Sequence, residues 1–82
     1  MSEKTLKSPF QLDKATVGMT YKLLSYNDMT LASKMMAMGV LPGNEVRVVQ
    51  KLWKGSNLFI ECNAQQIALR REEAATILVT KE

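Results

Sequence analysis

The residues that could carry catalysis are few, because the 82-residue sequence contains no histidine. Histidine is the commonest general base and the commonest transition-metal ligand in proteins. Without it, the serines and the single cysteine, Cys62, lack the usual partner that would activate them as nucleophiles. No glycine-rich stretch matches a phosphate-binding loop either. The sequence therefore argues against an enzyme, and we expect no catalytic residues, no cofactor and no hydrolysis of GTP.

Metal binding would depend on Cys62, on its neighbour Glu61 and on six methionines. Consecutive residues of a strand point to opposite faces, so Glu61 and Cys62 do not converge easily on one ion. A buried, inert thiol is the simpler interpretation, because free cysteine is among the most buried residue types. Most of the methionines crowd one short segment, where core filling plus one exposed, adaptable position explains them. We expect no metal ligands and no Fe²⁺ binding tighter than millimolar.

Length and composition place the chain among small folded domains. A chain of 82 residues forms one domain at most and buries only roughly 60% of its unfolded surface, which leaves little room for an enclosed active site. No run approaches the ~18 apolar residues of a membrane span, and the N-terminal residues lack the apolar segment of a signal peptide. A single cysteine fits a reducing compartment. We therefore expect a cytoplasmic protein.

A short helix is predicted near residues 28–38, after a first strand with the sequence "TYKLLSY". The dipeptide "ND" before the helix offers a side chain for its N-cap. Leu31, Met35 and Met38 form one apolar stripe, whereas Met36 lies about 100° from Met35 around the helix axis. The two adjacent methionines therefore need not face the same environment.

The segment from Gly39 to Asn44, which we call the corner, ends the helix and starts the next strand at once. Gly39 suits the left-handed conformation that closes many helices, because glycine has no Cβ to clash. Pro42 and Gly43 fit the two central positions of a type II turn. Gly39, Pro42 and Gly43 are therefore the predicted structural residues of the corner.

The rest of the sequence alternates with a period of two, which is typical of strands. After the corner, this period places Val46, Val48 and Leu52 inward. Tight turns are predicted at residues 54–57 and at Asn63-Ala64, and one helical turn at "RREEAA" precedes a last strand, "TILVT". The predicted fold is mainly β, a small β-barrel of about five strands with one short helix. Residues 1–12 are a loosely ordered lead-in that Phe10 and Leu12 pin, and the domain covers residues 13–82.

Nucleic-acid binding is a second functional hypothesis, because small barrels often bind single strands through aromatic side chains in a basic groove. The sequence contains five aromatic residues in all, and acidic residues interrupt the basic ones. We therefore expect no nucleic-acid partner. A small metal-sensing domain is the third hypothesis. The aromatic and basic candidates for nucleic-acid binding are Trp53, Lys51, Lys54, Arg47, Arg70 and Arg71.

Two stretches, "LASKMMAMGVLPGNEVRVV" and "IALRREEAATILV", resemble the FeoA family of small proteins from the bacterial ferrous iron transport system. The resemblance covers about residues 10–80. It implies an SH3-like barrel and an accessory role, in which the protein binds the cytoplasmic part of FeoB, the ferrous iron permease with a GTPase domain. Contact with the membrane would then occur only through that partner. A similar barrel occurs at the C-terminal end of the iron-dependent repressors. Those proteins also carry a helix-turn-helix domain, and this chain is too short to contain one beside the barrel.

One departure from the family lies between the second and third predicted strands. The family often carries a Pro-Leu-Gly-Asp-Pro-like loop there, whereas this sequence has the segment from Leu52 to Asn57. A partner contact made by that loop is therefore not carried over to this chain.

The helix and the corner together are the predicted partner-binding surface. Apolar side chains at positions 29, 31, 35, 36 and 38 spread over more than one face, so we expect some of them to be exposed; the alternative is that all five lie in the core. Methionine adapts well to binding surfaces. We expect the surface to centre on Met35 or Met36, with Leu41 beside them and Lys34 at the rim. The hairpin that contains Trp53 is the next candidate.

Overall fold

The fold is an antiparallel sheet with one nine-residue helix packed against it, seen in a computed structural model that describes residues 8–52 and 57–82. Within these ranges the sheet has six strands in the order β1-β6-β2-β3-β4-β5. The predicted mainly β fold is confirmed, and β1 is the strand that the sequence did not indicate. The elements are β1 Phe10–Gln11, a 3₁₀ turn Leu12–Lys14, β2 Thr20–Tyr26, α1 Met29–Ala37, β3 Glu45–Leu52, β4 Asn57–Cys62, β5 Gln65–Arg70, α2 Arg71–Ala74 and β6 Ile77–Lys81.

The core lies between the inward faces of the strands and the buried stripe of α1. Each strand from β2 to β6 contributes alternate apolar side chains to it, as a period of two requires. Cys62 is part of this core with 2% of its surface exposed, as expected of an inert thiol. Burial also raises the pKa of the Cys62 thiol, which keeps it protonated and unreactive. The described helices include none that is both long and apolar enough to cross a membrane.

Residues 10–12 belong to the sheet and the core. Phe10 pairs with Val79 in β6, and its ring packs edge-on against Tyr21 with 5.4 Å between the ring centroids. Leu12 is fully buried. These are the residues expected to pin the lead-in, whereas its first seven residues lie outside the described ranges.

A β-bulge interrupts the alternation of β3. Val48 pairs with Ile60, and the next paired residue, Gln50, faces Phe59, so Val49 is an extra residue. An extra residue inverts the alternation beyond it. The predicted inward orientation of Leu52 is therefore wrong, because 36% of its surface is exposed, whereas Val48 before the bulge is fully buried as predicted.

Candidate protein interaction surface

The helix α1 begins at Asp28, whose side chain caps it. The Oδ1 atom of Asp28 accepts hydrogen bonds from the backbone N–H groups of Thr30, at 2.9 Å, and Leu31, at 3.2 Å. These N–H groups have no partner within the helix, so the cap satisfies two of the four free donors at this end. The helix then buries Leu31, Ala32 and Met35 against the sheet.

The end of α1 is closed by the glycine that begins the corner. Gly39 has a φ of +85°, in the left-handed region that glycine adopts readily. Its N–H donates to the carbonyl of Met36 at 2.9 Å, and the N–H of Val40 donates to the carbonyl of Met35 at 3.0 Å. This pair of bonds defines a Schellman motif. Val40 and Met35 are both buried in the core, so the motif fixes the direction in which the chain leaves the helix.

The remainder of the corner is a hydrogen-bonded turn. The N–H of Asn44 donates to the carbonyl of Leu41 at 3.0 Å, and the N–H of Leu41 donates back to Oδ1 of Asn44 at 2.8 Å. Gly43 has a φ of +96°, as the third position of a type II turn requires. Its N–H also donates to the carbonyl of Leu23 in β2 at 2.7 Å. The corner is thus attached both to itself and to the sheet.

Three consecutive backbone carbonyls after the helix accept hydrogen bonds from side chains of the sheet. Nε2 of Gln65 donates to the carbonyl of Met38 at 2.8 Å, and Nδ2 of Asn63 donates to the carbonyl of Gly39 at 3.0 Å. The hydroxyl of Tyr26 donates to the carbonyl of Val40 at 2.7 Å. We call these three side chains, from Tyr26, Asn63 and Gln65, the tether. The tether could not be predicted from residue types, because nothing in a sequence pairs a side chain with a distant carbonyl.

The hydroxyl of Tyr26 is held protonated by its surroundings. Burial, together with a smaller effect of the nearby Cys62, raises the pKa of Tyr26 to about 12. A protonated hydroxyl can donate to the carbonyl of Val40, whereas a phenolate cannot. The tether therefore keeps all three of its donors at neutral pH.

Two of the predicted partner-binding residues are exposed on this part of the molecule. Met36 has 42% of its surface exposed and Leu41 has 46%. Met29, with 76% exposed, lies seven residues before Met36 and therefore on the same face of α1. We call Met29, Met36 and Leu41 the apolar surface.

Met35 does not contribute to that surface, so the prediction that the surface could centre on Met35 is wrong. Only 1% of Met35 is exposed, because it belongs to the stripe that α1 packs against the sheet. Lys34 is on the solvent side, with 63% of its side chain exposed and its Nζ atom 3.8 Å from Oε2 of Glu73. Trp53 lies outside the described residues, and so does most of the loop from Leu52 to Asn57.

Metal ligands do not converge on this surface or elsewhere in residues 8–52 and 57–82. Nowhere in that part of the chain do three or more histidine, cysteine, aspartate or glutamate side chains come together as a metal site would require.

Similarity to known proteins extends over nearly the whole chain. The family model of the FeoA domain matches residues 10–81. No curated protein matches the sequence.

Solved structures confirm the SH3-like fold. A FeoA protein from Chlorobium tepidum superimposes with a TM-score of 0.82 at 22% identity, over 88% of this chain and 70% of that chain. Iron(II) transport protein A from Clostridium thermocellum gives a TM-score of 0.79 at 26% identity, over 88% of this chain and 45% of that chain. A manganese-dependent transcriptional repressor gives 0.83 at 15% identity, over 94% of this chain and 44% of that chain. This chain thus spans less than half of the last two proteins.

Proposed function

Because the chain belongs to the FeoA family, we propose that it is a non-enzymatic, cytoplasmic accessory protein of ferrous iron uptake. In this proposal it binds the cytoplasmic region of FeoB, the membrane permease with a GTPase domain. It reaches the membrane only through that partner.

The observation that carries this proposal is the exposure of Met36, near the end of α1, and of Leu41, in the corner that follows it. Single exposed apolar side chains are common on soluble domains, but Met29 and Met36 are exposed on one face of α1 and Leu41 is exposed in the corner that follows, and a group of this kind supports a binding surface. Methionine adapts its shape to a partner, and the corner limits the entropy lost on association because it is already ordered. Lys34 would then lie at the rim of the contact.

A nucleic-acid partner is less well supported by the surroundings of the basic residues. Nη2 of Arg47 lies 3.0 Å from Oε1 of Glu61, and Nζ of Lys51 donates to the backbone carbonyl of Asp13 at 3.1 Å. Both cations already have acceptors within the protein. Support for metal sensing comes from a shared fold, as with the manganese-dependent repressor, and a likeness at 15% identity carries no function.

The test is to replace Met36 and Leu41 separately by aspartate and to measure affinity for the purified FeoB cytoplasmic region by calorimetry. A charge inside an apolar contact should weaken binding about ten-fold or more and reduce ferrous iron uptake in cells. Thr30→Asp is the control, because it adds the same charge to α1 about 120° around the axis from Met36. Wild-type affinity in both well-folded variants would exclude this surface and make the Trp53 hairpin the next candidate.

A second measurement separates the accessory role from metal sensing. Calorimetry of the purified protein should detect no Fe²⁺ binding tighter than millimolar, and a phosphate-release assay should detect no GTP hydrolysis. A stoichiometric micromolar Fe²⁺ site would overturn the proposal in favour of a metal sensor.

A further inference from the structure

The tether holds the part of the chain from which the apolar surface projects. The carbonyls of the last turn of a helix have no partner within the helix and are usually satisfied by water or by the cap. Here the carbonyls of Met38, Gly39 and Val40 each accept a side-chain donor, and the donors come from two places in the fold: Tyr26 from β2, and Asn63 and Gln65 from the hairpin that joins β4 to β5. Bonds from more than one place fix a position, whereas a single bond permits rotation.

The donors from Asn63 and Gln65 lie on the solvent side of the molecule. Exposed neutral hydrogen bonds contribute little to global stability, because water replaces them readily when the protein unfolds. Their effect is therefore local, on the placement of Met38 and Gly39 relative to the sheet. These two residues lie between Met36 and Leu41 in the chain.

Asn63 is aimed at the corner by a tight turn that joins β4 to β5. Asn63 and Ala64 both have positive φ values, 54° and 65°, which are those of a type I′ turn. Asparagine tolerates this conformation, but alanine adopts it rarely. Backbone strain of this kind persists only where the surrounding structure imposes it.

We propose that Asn63 and Gln65 are positioning residues that hold Met36 and Leu41 in one fixed arrangement for the partner. This inference rests on the proposed function. The two side chains bond to the backbone of Met38 and Gly39, so in this proposal they act by reducing the disorder that binding would have to remove.

The experiment uses Asn63→Asp and Gln65→Met in the full-length protein. Each change keeps the approximate shape of the side chain and removes its N–H donor, and Asn63→Asp also adds a negative charge. Gln66→Met is the control for the second variant, because Gln66 is an exposed neighbour on the opposite face of β5. The readouts are affinity for the FeoB cytoplasmic region and amide hydrogen exchange of Gly39 and Val40 in the free protein.

We expect Asn63→Asp and Gln65→Met each to weaken binding about five-fold, with little change in the unfolding midpoint. Exchange at Gly39 and Val40 should be several-fold faster, while Gln66→Met should resemble wild type in both measurements. Unchanged exchange, or wild-type affinity in both tether variants while Met36→Asp binds poorly, would overturn this inference alone. Wild-type affinity in Met36→Asp and Leu41→Asp as well would overturn the proposed surface and this inference with it.

Discussion

The corner and the part of β3 beyond its bulge both redirect the chain, but different interactions hold each of them in place. The corner is fixed by two positive φ values, by its own hydrogen bonds and by side chains from the sheet. Beyond the bulge at Val49, β3 keeps its ladder with β4, but its side chains are only partly buried or exposed. Stability at the corner therefore depends on backbone conformation and on the core beneath it. Beyond the bulge, it depends on backbone pairing, so side-chain changes there should matter less.

The largest effect that this comparison predicts comes from placing a charge beneath the corner. Met35→Asp should prevent folding or cost more than about 4 kcal/mol, because it buries a carboxylate that has no partner. Met36→Asp, one residue on and largely exposed, should cost less than about 1 kcal/mol. Circular dichroism and urea denaturation check both variants. Similar stabilities in the two would contradict the assignment of Met35 to the core.

Changing the backbone of the corner should produce the next largest effect. Gly39→Val places a β-branched residue at a φ of +85°, which should cost roughly 2–3 kcal/mol. A Cβ at this position would meet no atom within 4 Å, so the cost comes from the backbone and not from a clash. Thermal unfolding should show a midpoint lowered by several degrees or more.

Asparagine at the same position provides the control for this change. Gly39→Asn should be milder than Gly39→Val, because asparagine tolerates the left-handed conformation. A valine variant that melts within a degree or two of wild type would show that the corner does not need this conformation.

Side-chain truncation on the two sides of the bulge should give a smaller contrast. Val48→Ala removes two methyl groups from the core and should cost about 2 kcal/mol. Leu52→Ala removes more atoms but should cost less than about 1 kcal/mol, because Leu52 faces outward. Urea denaturation of the two variants measures both values. A larger loss at Leu52 would mean that the alternation of β3 continues past Val49.

The smallest predicted effect is a dependence of stability on pH through the tether. Burial raises the pKa of Tyr26 to about 12, above the ~10 of an unfolded tyrosine. Folding therefore favours the protonated hydroxyl, whose contribution is complete below about pH 10 and is lost as the pH rises toward 12. Urea denaturation at pH 8 and at pH 11 should show a smaller fall in Tyr26→Phe than in wild type. An equal fall would assign the effect to other groups, such as Cys62.

Much of the corner and of the core follows from the sequence because it depends on local residue types. Gly39, Pro42 and Gly43 each satisfy a backbone requirement that few other residues meet, and the stripe of α1 follows from helical spacing. The outward orientation of the Leu52 side chain depends instead on the pairing between β3 and β4, which residue types do not specify. The tether joins side chains to carbonyls 14 to 27 residues away. Contacts of that kind exist only after folding.

The turn that positions Asn63 also affects how fast this asparagine loses its side-chain amide by deamidation. Glycine in place of Ala64 would remove the backbone strain at a φ of 65°, since glycine adopts that conformation freely. A glycine after asparagine also leaves the following backbone N–H open to attack the side-chain amide, and this reaction converts asparagine to aspartate or isoaspartate. Neither product has an N–H to donate to the carbonyl of Gly39. The methyl group of Ala64 therefore slows a chemical change that would remove one bond of the tether during the lifetime of each molecule.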